Sequence, residues 1–182
     1  TLKGLTVYYP EQTQTNPPVA YPWTIRGMDN DVAIIDVLLL NPYQAVDLAT
    51  EFVPRHYVRN LYAQALYRGI IIDKCYDIGR IENVHFWPFW DGWRSSLKDF
   101  TLEAGKAFVI GRTDWQQITN CFAIGYETGF EFMAVATDPT PVNPGGPGNV
   151  LITGGGADMC VYAVHALETQ SHSGVSFVNC QI

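Results

Sequence analysis

Three tryptophans fall within one short stretch, Phe86-Trp87-Pro88-Phe89-Trp90-Asp91-Gly92-Trp93-Arg94. Flat apolar rings with polar tips suit the faces of sugar rings, and equally suit large buried contacts. Trp87, Trp90 and Trp93, with Asp91 among them, are therefore the expected substrate-binding group. Glycosidic bond cleavage needs two carboxyl groups, one giving a proton to the leaving oxygen and one ionised. Asp73 and Asp77 form one candidate pair, although aspartates so placed commonly accept backbone hydrogen bonds in turns. His85, His165 and His172 are candidate bases with no partner that sequence can supply. Phosphate loop, dinucleotide fingerprint and nucleophile elbow are all missing, and the four cysteines match no zinc spacing, so no cofactor or metal is expected.

The elements that must position these residues are written in a recurring phrase: apolar, any residue, Asn (or Asp or Gly), apolar, any residue, apolar. It reads Ile34-Ile35-Asp36-Val37-Leu38-Leu39, then Val58-Arg59-Asn60-Leu61-Tyr62-Ala63, then Ile81-Glu82-Asn83-Val84-His85-Phe86. It returns around Gly4, Asn120 and Asn179. Asp36, Asn60 and Asn83 follow at about 24 residues, and a fixed period of that size marks stacked coils.

A second alternation follows each phrase, at Ala45-Val46-Asp47-Leu48, Gly69-Ile70-Ile71-Ile72, Lys106-Ala107-Phe108-Val109 and Gly129-Phe130-Glu131-Phe132. Period two is the strand signature, so each coil carries at least two short strands. Stacked in parallel about 4.8 Å apart, equivalent residues form columns. The expected inward columns are Val46, Ile70, Ala107, Phe130 and Leu48, Ile72, Val109, Phe132. The asparagines form a column of their own, expected to point inward and to hydrogen-bond along the stack. Asp47 and Glu131 share an outward column three coils apart, too far for a direct pair. Arg68 and Lys106 flank equivalent strands, where they could face an acidic sugar. Helix is expected, for a turn or two, only at residues 51–55 and 95–104. The fold class is thus all-β: a parallel β-helix, or solenoid, interrupted by loop insertions.

The 182 residues suffice for one domain. A net charge of −7 with no basic run argues against a nucleic-acid partner, because counterion release needs clustered Lys and Arg. No apolar stretch is long enough to span a membrane as a helix. Both ends fall inside the phrase, so further chain segments or a partner chain are expected to cover them. Cys121 and Cys180 share a column with a coil between them, beyond disulfide reach, so free thiols are expected.

The phrases Ile118-Thr119-Asn120-Cys121 and Phe177-Val178-Asn179-Cys180, each with a partner strand such as Gly129-Phe130-Glu131-Phe132, resemble the coils of the right-handed parallel β-helix proteins of the pectin-lyase-like superfamily. Gly4–Gln12 and Asp77–Phe86 look like members described as pectate-lyase-superfamily or polygalacturonase-related proteins. The resemblance spans nearly the whole chain and implies fold more sharply than reaction, since that superfamily holds hydrolases, lyases, epimerases and phage tailspikes. In its hydrolases the catalytic carboxylates lie in a groove on one sheet, at the start of the strand that here begins near Gly69 or Gly129. Carried over, this implies Glu127 and, in a comparable place in the next coil, Asp158. Adjacent coils bring equivalent side chains near 5 Å, so Glu127 with Asp158, or Glu131 with Asp158, would meet the spacing of either hydrolytic mechanism. The paired-Asp signature of polygalacturonases is missing, which disfavours polygalacturonan as substrate.

The expected function is a secreted glycoside hydrolase acting on a polysaccharide. A polysaccharide lyase and a non-catalytic glycan-binding or tailspike-like module are the alternatives.

Overall fold

The computed structural model describes residues 1–12, 16–89, 96–134 and 145–182. In chain order its strands are β1 (Leu2–Tyr8), β2 (Trp23–Arg26), β3 (Val32–Leu40), β4 (Gln44–Leu48), β5 (His56–Ala63), β6 (Arg68–Ile72) and β7 (Cys75–Phe86). A helix, α1 (Ser96–Ala104), intervenes before β8 (Lys106–Ile110), β9 (Thr113–Thr119), β10 (Phe122–Ile124) and β11 (Thr128–Phe132). The last are β12 (Val150–Thr153), β13 (Gly156–Asp158), β14 (Tyr162–Ala166) and β15 (Val175–Val178).

The protein is mostly β, in two parallel sheets. Sheet A runs β1-β3-β5-β7-β9-β12-β15, with β10 beside β7 and β13 beside β10; sheet B runs β14-β11-β8-β6-β4-β2. From β3 to β9 the chain alternates between the sheets, so neighbours within a sheet are separated by a strand of the other. The register confirms the period: Ile34 lies opposite Val58, and Val58 opposite Ile81.

The recurring phrase has a backbone cause. Asp36, Asn60, Asn83, Asn120 and Asn179 have φ between 50° and 56°, and Gly4 and Gly154 in the same column have φ of 67° and 62°. This left-handed region is open to Gly and tolerated by Asn and Asp, whereas other side chains clash there. One such residue inside an extended segment shifts the pleat by a step. Apolar residues before and after it then face the same side at a spacing of three instead of two. Ile34 and Val37, Val58 and Leu61, Ile81 and Val84, Ile118 and Cys121 are accordingly all buried. The column's own side chains point outward: Asp36, Asn83, Asn120 and Asn179 are exposed and Asn60 is half-buried. The expectation of inward asparagines is corrected on this point. The predicted ladder nevertheless exists, as Asn60 Nδ2 donates to Asp36 Oδ1 at 2.8 Å and Asn83 Nδ2 to Asn60 Oδ1 at 2.8 Å.

Sheet B has its own phase shift. Ala45 and Val46, Gly69 and Ile70, Ala107 and Phe108, Gly129 and Phe130 are consecutive buried pairs. The core columns are therefore Ile25, Val46, Ile70, Phe108, Phe130, Val164 and Leu48, Ile72, Ile110, Phe132. The expected columns were one residue early at Ala107 and Val109, because the insertion before β8 hides the register. Phe108 stacks on Phe130 with centroids 4.8 Å apart and planes at 8°. One core fills the space between the sheets. Outward, Asp47, Ile71, Val109 and Glu131 lie in one column, with Asp47 and Glu131 three steps apart as the repeat predicts.

Helix α1 falls within the expected residues 95–104 and seats Leu97 and Phe100 on Leu66, under Tyr43 and Tyr67. Residues 51–55 hold no helix. All four cysteines are free, with Cys75 and Cys121 buried.

Candidate functional site

The outer face of sheet B gathers the charged residues that sequence had separated. Helix α1 prepares the ground. Gly105 N donates to Thr101 O at its end, and the next residue, Lys106, opens β8 opposite Arg68 of β6. The turn before β11 is tied to the same helix: Thr101 Oγ1 donates to Gly125 O at 2.6 Å and Glu127 N to Thr101 O at 2.7 Å. Tyr126, buried between them, donates its hydroxyl to Ala65 O at 2.7 Å. Burial pushes its phenol well above the ordinary tyrosine value.

Two carboxylates from this turn and strand reach one ammonium. Lys106 Nζ donates to Glu131 Oε1 and stands 3.8 Å from Glu127 Oε2. Glu127 Oε2 also accepts from Thr128 Oγ1 at 2.7 Å. His165, opposite Glu131 on β14, brings Nδ1 to 3.7 Å from Glu131 Oε1. Its ring stacks on Tyr162 at 5.2 Å. Glu131 is only 1 % exposed although it sits on the outward side of its strand.

Arg68 borders the cluster. Its Nη1 donates to Tyr67 O and Ala104 O, and the guanidinium lies 3.7 Å from the centroid of the Tyr67 ring. Burial lowers the Arg68 guanidinium from its ordinary value, while Tyr67 and the carboxylates of Glu131 and Glu127 act in the opposite sense. Glu127, Glu131, Arg68 and Lys106 thus form one group, joined by His165.

Asp158 stands apart from it. Asp158 lies opposite Ile124 at the end of β13, whereas Tyr162 lies opposite Thr128 and donates its N–H to Glu127 O at 2.8 Å, so the residue over Glu127 is Val161. The comparable place assigned to Asp158 is therefore three residues early in register, and Asp158 is exposed beside Phe122 and Ile182. The pairing that the geometry makes is Glu127 with Glu131.

The aromatic stretch is partly described. Trp87 is half-buried and belongs to a ring cluster centred on His85, with centroid distances of 6.1 Å to Trp87, 5.4 Å to Phe89 and 5.2 Å to Phe122. Burial lowers the His85 imidazole from its ordinary value. Trp90, Asp91 and Trp93 lie outside the described residues.

His165 as a partner of Glu131 is what sequence reasoning missed. The two are 34 positions apart, because the excursion after β11 lengthens that step well beyond the period of about 24 residues. A further imidazole, His56, is 3 % exposed and faces Gln116 across Gly79. Among the described residues no group of His, Cys, Asp or Glu is arranged to hold a metal ion. No helix among them is long and apolar enough to cross a membrane. No family model matches the chain, and no curated protein or solved structure matches it.

Proposed function

We propose that this chain is a stretch of right-handed parallel β-helix of the pectin-lyase-like kind, acting as a glycoside hydrolase on an extracellular polysaccharide. The observation that supports this reading is the convergence of Glu127, just before β11, and Glu131, within it, on Lys106 at the start of β8. Two carboxylates on one ammonium stand close enough for the short separation of a retaining mechanism, about 5.5 Å. Glu127, the more exposed, would protonate the leaving glycosidic oxygen. Glu131, salt-bridged to Lys106, would attack the anomeric carbon. Water then cleaves the glycosyl-enzyme ester, Glu127 taking its proton.

One observation favours the non-catalytic alternative, a glycan-binding or tailspike-like module: Glu131 is almost fully enclosed, which leaves little room for an anomeric carbon.

A panel of neutral and acidic polysaccharides, assayed for new reducing ends and for ultraviolet absorbance, separates the readings. Hydrolysis raises reducing ends without a chromophore, and Glu127→Gln and Glu131→Gln each reduce it by at least about a hundredfold. A rise in ultraviolet absorbance would replace the hydrolase with a lyase. Full activity in both variants would remove the carboxylate assignment.

A further inference from the structure

Away from the ion-paired face, a groove of about 420 Å³ runs over the left-handed column of sheet A. Thr6, Asp36, Asn60, Tyr62 and Asn83 supply its polar groups, with Leu38 among its apolar lining. The polar groups are already ordered. Asn83 Nδ2 donates both to Asn60 Oδ1 at 2.8 Å and to the Tyr62 hydroxyl at 2.9 Å, and Asn60 Nδ2 donates to Asp36 Oδ1. The Tyr62 ring is braced edge-on by Phe89, with centroids 6.0 Å apart and planes at 86°.

This arrangement selects a chemistry. A primary amide offers two donors and an acceptor with two lone pairs, and each rung of the ladder uses only part of that capacity. A sugar hydroxyl is likewise donor and acceptor at once, so outward amides repeated along a column match a polyhydroxyl chain. Asp36, Asn60 and Asn83 span roughly 10 Å at the ordinary strand spacing, room for a short run of linked sugars. The lining holds one carboxylate and no Lys, Arg or His, which disfavours a uronate, a sulfated glycan or a nucleic acid. The volume and the pairing of an aromatic ring with a few placed polar groups are those of a small-ligand site.

We propose that this groove binds a neutral oligosaccharide, its hydroxyls bonded to the Asp36-Asn60-Asn83 ladder and one sugar ring laid against Tyr62. The site is separate from the Lys106 face and needs no catalytic carboxylates, so it stands whether or not the protein hydrolyses glycans.

The test is a titration of nitrogen-15-labelled protein with cellohexaose, xylohexaose and mannohexaose, with hexagalacturonate as the acidic control, following the side-chain amide signals of Asn60 and Asn83 and, in the variants, the backbone amides of residues 36–38 and 60–62. At least one neutral hexaose should move both signals saturably, and hexagalacturonate should not. The double variant Asn60→Gly/Asn83→Gly keeps the left-handed backbone and removes the amides; it should weaken binding by about tenfold or more. Tyr62→Leu, which removes the ring and leaves the ladder, should do the same and serves if the double variant does not fold. Glu127→Gln should leave the titration unchanged, so loss of hydrolysis and loss of this site are read separately. The proposal is overturned if none of the three neutral hexaoses moves the amides, if hexagalacturonate does so, or if the folded variants bind undiminished.

Discussion

Asn83 donates its side-chain amide to Asn60 at 2.8 Å, and both residues hold φ near +50° at the same bend of adjacent strands. Backbone and side chain ask for the same residue there. The left-handed conformation admits Gly, Asn or Asp, and of these only Asn can both donate to one rung and accept from the next.

Asn60→Ala is therefore expected to destabilise the protein by about 1–2 kcal/mol, the cost of a methyl side chain in the left-handed region. Asn60→Gly should cost clearly less, since it keeps the backbone conformation at ease and loses only exposed hydrogen bonds. Urea denaturation of the two variants checks the order. An alanine variant as stable as the glycine one would show that the conformation carries no cost here.

Lys106→Met should be more damaging than its position on the outer face suggests. It leaves the enclosed Glu131 carboxylate without its ammonium partner, and breaking such a pair from one side costs about 3 kcal/mol. Lys106→Met/Glu131→Leu should recover much of that loss. A double-mutant cycle by chemical denaturation measures the coupling, and an additive result would mean that the two charges are independently solvated.

Acid should weaken the fold through His56. Burial pushes its imidazole down to about 4, and the Gln116 amide beside the ring opposes the shift only in part, since neither ring nitrogen has a hydrogen-bond partner. The unfolded chain titrates near the ordinary value of about 6.5, so between that pH and about 4 it binds a proton that the folded chain refuses. His56 thus adds no penalty above pH ~6.5, and stability falls as pH drops toward 4, by about 3 kcal/mol at most. Urea midpoints across that window should fall in the wild type and flatten in His56→Leu; equal slopes in both would assign the acid sensitivity elsewhere.

Gly79→Ala should destabilise by about 1–3 kcal/mol through overpacking. An added Cβ would stand 2.2 Å from Gln116 Oε1 and 2.5 Å from His56 Cε1. Thermal denaturation of Gly79→Ala checks this, and the double variant Gly79→Ala/His56→Ala should tolerate the methyl better than Gly79→Ala alone.

Thiol titration of the folded protein should divide the cysteines. Burial raises Cys75 and Cys121 to about 12, and both are fully enclosed, so they should react only after denaturation. Cys160 and Cys180, half-buried, should react first. Rapid labelling of Cys121 in the native protein would contradict its placement in the core.

The parallel stacking and the period were legible in the chain because both are local patterns repeated. A left-handed residue between apolar neighbours leaves the phrase Ile34 to Leu39, and its return as Val58 to Ala63 and Ile81 to Phe86 sets the step. Lys106 could be aligned with Arg68, and Asp47 with Glu131, by counting along that step. What counting could not supply was the direction of the asparagines, the double inward pair at Ala107 and Phe108, and the company of Glu131. Each depends on how an insertion or a bulge resets the pleat, and a shift of one residue exchanges the two faces of a strand. The meeting of Lys106, Glu127, Glu131 and His165, and the separation of Asp158 from them, were decided only when the strands of the two sheets took up their register.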